Sequence, residues 1–308
     1  MATSQLLRIG TRASKLARWQ ADWTARTLRS AGVDVEIVEI ATTGDQQQSG
    51  AIASLNRQGV FTKEIQRALL EGEVDAAVHS LKDLPTETVA GLALAATPTR
   101  EDPADALVAR HGETLESLGS HARVGTGSLR RRVQLSRLRP DLEVVGIRGN
   151  VDSRLRKLDE GQYDAVVLAV AGLTRLGLAD KISERLEFPR LLPAPGQGAL
   201  GIECREGDGE TRRILASLDH QPTRVATNAE RAMLSALHGG CSAPIAAWGR
   251  LQVGQLLLDG LVADPTGKKT LLAHRSGDVA EADRIAREVA DDLMRQGAEE
   301  IIRQSRTG

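Results

Sequence analysis

"FPRLLPAPGQGALGIECRE", Phe188–Glu206, decides how this chain is divided between two α/β sheets. Its first half carries Pro189, Pro193 and Pro195, and proline has no N–H to give to a sheet ladder, so this half reads as a connection. Its second half, "ALGIEC", is apolar enough for a buried strand. That strand has two destinations. It can extend the sheet formed by the preceding hundred residues, or return to a sheet built at the amino end. A return would make "TPTRE" (97–101) and "LLPAPGQG" (191–198) a pair of hinge segments flanking a cleft.

Upstream, "LLRIG" reads as a buried strand followed by a helix in "SKLARWQADWTARTLRSAG", with Ser14 as N-cap and Gly32 just past the end. A strand in "VDVEIVEI", a helix in "FTKEIQRALLEG" and a strand in "VDAAVHS" continue the alternation. After "TPTREDPADA" it restarts: strand "RVGTG", helix "SLRRRVQLSRL", strand "LEVVGI", helix "NVDSRLRKLDEG", strand "YDAVVLAVAG". Alternation of this kind predicts mostly parallel sheets. From about Thr223 the pattern changes to a helix, three successive strands and a long helix from about Val279, which predicts a small antiparallel α+β domain.

The composition narrows the function. Forty Lys and Arg against 41 Asp and Glu leave a formal charge of −1, and aromatics make up 2% of 308 residues. Neither a basic footprint nor stacking platforms for nucleic acid are present, so an anion site has to come from local clustering. Two cysteines cannot build a disulfide scaffold, and the six histidines share no ligand spacing with them, so no metal is expected. Without a leader or an 18-residue apolar run, the expectation is a cytoplasmic protein with no membrane partner.

Local clusters do occur. "HSLKDLP" ends a strand with Ser80, Lys82 and Asp83 before Pro85, and open α/β sheets bind ligands at that end. A surface turn would explain the same residues equally well. "GTGSLRRR" places Thr126 and Ser128 ahead of Arg130 and Arg131 in the first turn of a helix, where cations are unfavourable unless an anion is expected. "GIRGNVDSRLRKLD" repeats the plan with Arg148, Gly149 and Arg154, and "GTRASKLARWQ" repeats it with Arg12, Ser14 and Gln20. Arginine at three strand ends points to forked recognition of carboxylate or phosphate in a polyanionic ligand. "HGGC" sets Cys241 after two glycines that permit close approach of something bulky. A cysteine hydrolase pairing Cys241 with His238 would need an oxyanion hole and an orienting group that are not identifiable, and a two-lobed binding module would leave Asp83 and Cys241 without a use.

In its ordered motifs, among them "TRASKLA", "GVFTKE", "HSLKDLPT", "REDPADA", "GTGSLRR", "RGNVDSRLRKLD", "PAPGQGALGIECR" and "GGCSAPI", the chain resembles the porphobilinogen deaminases, or hydroxymethylbilane synthases, nearly end to end. The resemblance implies an α/β fold: two domains like type II periplasmic binding proteins with a double chain crossover, and a small C-terminal α+β domain with a three-stranded antiparallel sheet. Domain 1 would take residues 1–98 and 199–218, domain 2 residues 103–192, and domain 3 residues 222–308. It also implies a transferase that joins four porphobilinogen molecules head to tail, releasing ammonia, onto a covalent dipyrromethane primer, and then hydrolyses off hydroxymethylbilane.

By the same resemblance Asp83 is catalytic and Cys241 carries the dipyrromethane cofactor through a thioether, with Lys82, Thr126, Ser128, Arg130 and Arg131 binding it. Arg12, Ser14, Gln20, Arg148, Gly149, Arg154, Arg175, Gln197 and Phe61 would meet substrate or growing chain. Six rings with two carboxylates each would bring about a dozen negative charges, which explains the arginines. The expected state is a monomer. Two departures stand out: the segment 46–59, usually a lysine-bearing loop over the cleft, has only Arg57 for charge, and Gly127 replaces a serine that the family often has.

Overall fold

The structure, a computed structural model, describes residues 6–42, 62–238, 243–265 and 269–307. The chain divides into two compact units, Met1–Arg100 with Ala199–Arg224, and Glu101–Gly198 with Val225–Gly308.

The first unit answers the question posed by Phe188–Glu206. Its sheet contains β1 (Leu7–Thr11), β2 (Val35–Glu39), β3 (Ala76–Ser80), β4 (Leu92–Ala96) and β10 (Leu200–Arg205), in the order β2-β1-β3-β10-β4. The strand after the prolines therefore returns to the amino-terminal sheet, running antiparallel to both β3 and β4. Helix α1 (Lys15–Ser30) packs Ala21, Ala25 and Leu28 into a core with Ile9, Val78 and Ile202. Ser14 caps it by accepting from the Ala17 N–H at 3.3 Å, and Gly32 follows its end at φ 84°. Helix α2 (Lys63–Leu70) covers the other face with Ile65, Ala68 and Leu69.

The second unit repeats this construction. β5 (Asp105–Ala109), β6 (Arg123–Gly125), β7 (Glu143–Val145), β8 (Ala165–Ala169) and β9 (Glu184–Leu186) form a sheet in the order β7-β6-β8-β5-β9. In each sheet the antiparallel fourth strand comes within a few residues of one of the two crossing segments: β5 after 97–101 and β10 after 191–198. The two sheets thus share one strand order, with the fourth strand antiparallel to both of its neighbours in each. Helices α3 (Leu129–Leu138) and α4 (Val151–Asp159) follow β6 and β7. The apolar run predicted as one strand in "YDAVVLAVAG" splits, because α5 (Val170–Arg175) begins where β8 ends.

Helix α6 (Gly209–Ala216) belongs to the first unit, and α7 (Gln221–Ala236) leads to the last sheet. That sheet is antiparallel, with β11 (Ile245–Gln252), β12 (Gln255–Ala263) and β13 (Thr270–Asp278) in sequence order. The long final helix is two, α8 (Ala282–Arg295) and α9 (Ala298–Thr307), broken at Gly297 with φ 101°. No described helix is long and apolar enough to cross a membrane.

The second crossing segment is held tightly within its unit. Gly198 has φ 85°, and a Cβ there would stand 2.3 Å from the Glu101 carbonyl oxygen. Gly198→Ala is expected to lower the unfolding free energy by about 2–4 kcal/mol, the sum of a left-handed backbone penalty and a forced displacement of Glu101. The urea midpoint measures it, and an unchanged midpoint would mean that the segment relaxes freely.

Candidate functional site

In the first unit, β3 ends at Ser80 and the chain makes one 3-10 turn, Leu81–Asp83. Leu81 and Leu84 are buried and pack with Ala199, and the Leu81 N–H donates to the Ala199 carbonyl at 3.0 Å. Gly201 lies beneath them, since a Cβ there would come within 3.0 Å of both leucines. Two buried anchors thus fix a turn whose third residue, Asp83, is exposed. Among the described residues its carboxylate has no hydrogen-bond or ion-pair partner, so it remains available to a ligand. Asp83 ends the 3-10 turn and caps no helix.

Ser80 and Lys82 flank that turn, both partly exposed. Gln20 is 2% exposed and its amide donates to the Ser80 hydroxyl at 2.8 Å, so within this unit it braces the strand end. Arg12 sits partly exposed at the end of β1. Ser14 has the capping role described above. Behind the turn, Glu203 on β10 is buried and accepts from the Gln66 amide at 3.1 and 3.2 Å, with His79 Nε2 3.2 Å away.

In the second unit the amino end of α3 carries most of the expected residues. Ser128 caps the helix by accepting from the Arg131 N–H at 3.4 Å, and the Thr126 hydroxyl accepts from the Ser128 N–H at 3.2 Å. At Gly127 the backbone passes close to the next strand end: a Cβ there would lie 2.9 Å from the Ile147 carbonyl oxygen. Arg130 and Arg131, though, are buried and share one carboxylate, Asp105 at the start of β5. Arg130 Nη1 and Nη2 donate to it at 2.7 and 3.2 Å, and Arg131 Nε and Nη2 at 2.9 and 2.7 Å.

Burial, the largest influence on Asp105, pushes its carboxyl up, but the two guanidiniums outweigh it and hold the group well below the usual carboxylate range. A depressed carboxyl stabilises the fold above its ordinary range, and that stability is lost as pH falls towards the folded-state value. Burial also lowers Arg130, against the opposing pull of Asp105.

At the next strand end, Gly149 has φ 110° and a Cβ there would strike Ser153 at 2.8 Å. Arg154 Nε donates to the Gly149 carbonyl at 2.8 Å, which orients this guanidinium along the loop. Arg148 is exposed, with no side-chain partner among the described residues.

Arg175 and Gln197, expected to meet substrate or growing chain, both have partners inside their own unit. Arg175 is 8% exposed and donates to the Gly198 carbonyl at 2.6 Å, and burial lowers its guanidinium to about 10 against a pull from Glu101. Gln197 is fully buried, and its amide donates to the Pro103 carbonyl at 2.7 Å and to Asp105 at 2.8 Å. Both brace the crossing segments, because a buried polar group needs an internal partner. Phe61, the segment 46–59, and Cys241 with its two glycines lie outside the described residues.

Sequence reasoning missed Asp105, Glu203 and Glu230. Glu230 on α7 is fully buried and accepts from the backbone N–H groups of Gly196 at 2.6 Å and Gly249 at 2.7 Å. The available signal was an acidic residue inside an otherwise apolar element: "ADALVA", "ALGIEC" and "NAERAML".

The chain matches two family models. One, described as porphobilinogen deaminase, dipyromethane cofactor binding domain, covers residues 7–213, and the other, porphobilinogen deaminase, C-terminal domain, covers residues 225–295. A porphobilinogen deaminase of Trichlorobacter lovleyi is 49% identical over 298 residues, 96% of this chain and 95% of the relative. Those of Desulforudis audaxviator and Xanthomonas campestris are each 47% identical, covering 97% and 96% of this chain and 98% of each relative. Among solved structures, a Coxiella burnetii periplasmic substrate-binding protein is similar at 14% identity and TM-score 0.44, over 73% of this chain and 96% of the other.

Proposed function

The chain belongs to the porphobilinogen deaminase family, and from that premise we propose that Asp83 is its catalytic carboxylate, with arginines at the strand ends of both units receiving the carboxylates of its ligands. The enzyme polymerises four porphobilinogen molecules onto a dipyrromethane cofactor to form hydroxymethylbilane. The observation that carries the assignment of Asp83 is its exposed carboxylate on a turn pinned by two buried leucines.

A carboxylate so held accepts hydrogen bonds from pyrrole N–H groups and orients the ring. It also stabilises the positive charge left on the ring as the aminomethyl group departs as ammonia. Fixing the turn in advance means that no reorganisation is needed at the moment of reaction. Lys82 and Ser80 beside it serve as donors to substrate carboxylates.

The residues present fit the cofactor. The Asp105 cluster holds two guanidiniums against one carboxylate, and Thr126 and Ser128 stand beside it at a helix amino end, where the dipole favours anions. Arg130 and Arg131 would hold the dipyrromethane carboxylates, and Cys241 its covalent end. When bound, the group supplies the terminal ring to which the first substrate is joined. Cys204 is unsuited to be the anchor: it is fully buried in the first sheet, and burial pushes its thiol up to about 11.

Residues 222–308 form a third domain in this reading, beside domains of residues 1–98 with 199–218 and of residues 103–192. Balanced charge and few aromatics speak against a nucleic-acid partner, and the family reading carries the further expectation of a monomeric cytoplasmic enzyme without a membrane partner.

Arg148 tests the carboxylate receivers, because its side chain is exposed and no internal ion pair is lost with it. Arg148→Leu, incubated with porphobilinogen and weighed intact, is expected to stall at an incomplete number of added rings. A wild-type distribution of masses would remove Arg148 from the site.

A further inference from the structure

The clamp on Arg130 and Arg131 has an unusual composition. Two buried guanidiniums face a single buried carboxylate, which leaves one positive charge in excess. A purely structural ion pair needs one cation, and a second buried cation carries a desolvation cost that the first pairing cannot offset. Arg130 Nε is also buried and has no acceptor. The capped amino end of α3 adds its own positive dipole to this place. Each of these features is unfavourable alone and is relieved by one added anion.

The carboxylate at the centre is held by the second crossing segment. Asp105 opens β5, four residues past Glu101 at the end of the first segment, and its Oδ1 accepts at 2.8 Å from Gln197 in the second. The same Gln197 amide holds the Pro103 carbonyl, and Arg130 Nη1 donates to the Leu192 carbonyl at 2.6 Å. Arg131 Nη1 donates to the Val167 carbonyl at 2.9 Å, so its fork cannot rotate without breaking a backbone contact. The direction of both forks is therefore set by Asp105 and its neighbours and not by the flexible arginine stems.

We propose that Asp105 is a positioning residue for the primer: braced by Gln197, it fixes Arg130 and Arg131 side by side and leaves them one positive charge in excess, which a single primer carboxylate neutralises. This rests on the reading above that these arginines hold the dipyrromethane group.

The test compares the wild type with Asp105→Glu, Gln197→Met and Arg131→Leu, each purified as holoenzyme from cells that make porphobilinogen. Intact mass gives the fraction of chains carrying the two-ring addition, thermal denaturation gives the midpoint, and kcat and KM are measured on the primed fraction. Asp105→Glu keeps the charge but displaces both forks by a methylene. The primed fraction is expected to fall by about tenfold or more while the midpoint of the folded protein moves little, since misplacement of about 1 Å has effects of that size. Full priming of folded Asp105→Glu with wild-type kcat, alongside a loss in Arg131→Leu, would reduce Asp105 to a structural ion-pair member and overturn the proposal. Full priming of Arg131→Leu would instead overturn the underlying reading. If Asp105→Glu does not accumulate as folded protein, Gln197→Met decides, because it leaves every ion pair in place. A fall of about threefold or more in its primed fraction is expected, and wild-type priming would overturn the role of the brace and of the carboxylate it holds.

Discussion

Asp83→Asn is expected to be purified with its two-ring addition intact and to release hydroxymethylbilane at least about a thousandfold more slowly, the range expected when a positioned acid–base group with an electrostatic role is lost. Asparagine keeps the size and the planar shape of the side chain, and nothing in the turn depends on the carboxylate. Leu81, Leu84 and Gly201 fix the backbone, and Asp83 makes no ion pair with any described residue. Stability is therefore expected to change by less than about 0.5 kcal/mol, as for an exposed substitution away from packing features. The amide cannot balance the cation formed as ammonia leaves, so the loss falls on kcat with little change in KM. Near-normal release by this variant would remove Asp83 from the chemistry. A large loss of thermal stability would show that the turn, and not the charge, had been damaged.

The turn that carries Asp83 was legible in the sequence because a strand, a short polar run and a proline follow one another within ten residues. The same local logic read Ser14 and Ser128 as helix starts, and Gly32 as an end. Local patterns could not decide where "ALGIEC" pairs, since a fully buried strand looks alike in either sheet. Only long-range register, with Leu200 opposite Ser80 and Cys204 opposite Ala76, placed it in the first. Nor could spacing separate an arginine that faces a ligand from one that braces the chain. Arg148 and Arg175 look equivalent as letters, yet one is exposed and the other is buried against the Gly198 carbonyl. The hidden variable is the partner: Asp105, Gly198 and the backbone of Pro103 are distant in sequence from the residues they hold, and one chain alone carries no trace of such pairings. The break at Gly297 was missed for a simpler reason, because the apolar stripe continues on both sides of it.

Cys241→Ala is expected to yield a folded chain whose intact mass lacks the two-ring addition and whose turnover is abolished, whereas Cys204→Ala keeps both. The contrast follows from the only two thiols in the chain. Cys204 packs in the first core with Ile202, Val78 and Leu215, and a thiol pushed up to about 11 supplies almost no thiolate at neutral pH. Removing its sulfur should cost about 1 kcal/mol of stability through a small cavity and nothing in chemistry. Cys241 follows two glycines that impose no side chain on an incoming ring, which is the room the proposed covalent attachment needs. Without the tether, each added ring would have to be retained by its carboxylate contacts alone. Intermediates would then escape at every step, because the gain in effective concentration from covalent attachment is lost. An addition that persists in Cys241→Ala, or disappears in Cys204→Ala, would reassign the anchor. Loss of turnover with the addition still in place would instead make Cys241 a participant in the chemistry, a role that the exposed carboxylate of Asp83 leaves no need for.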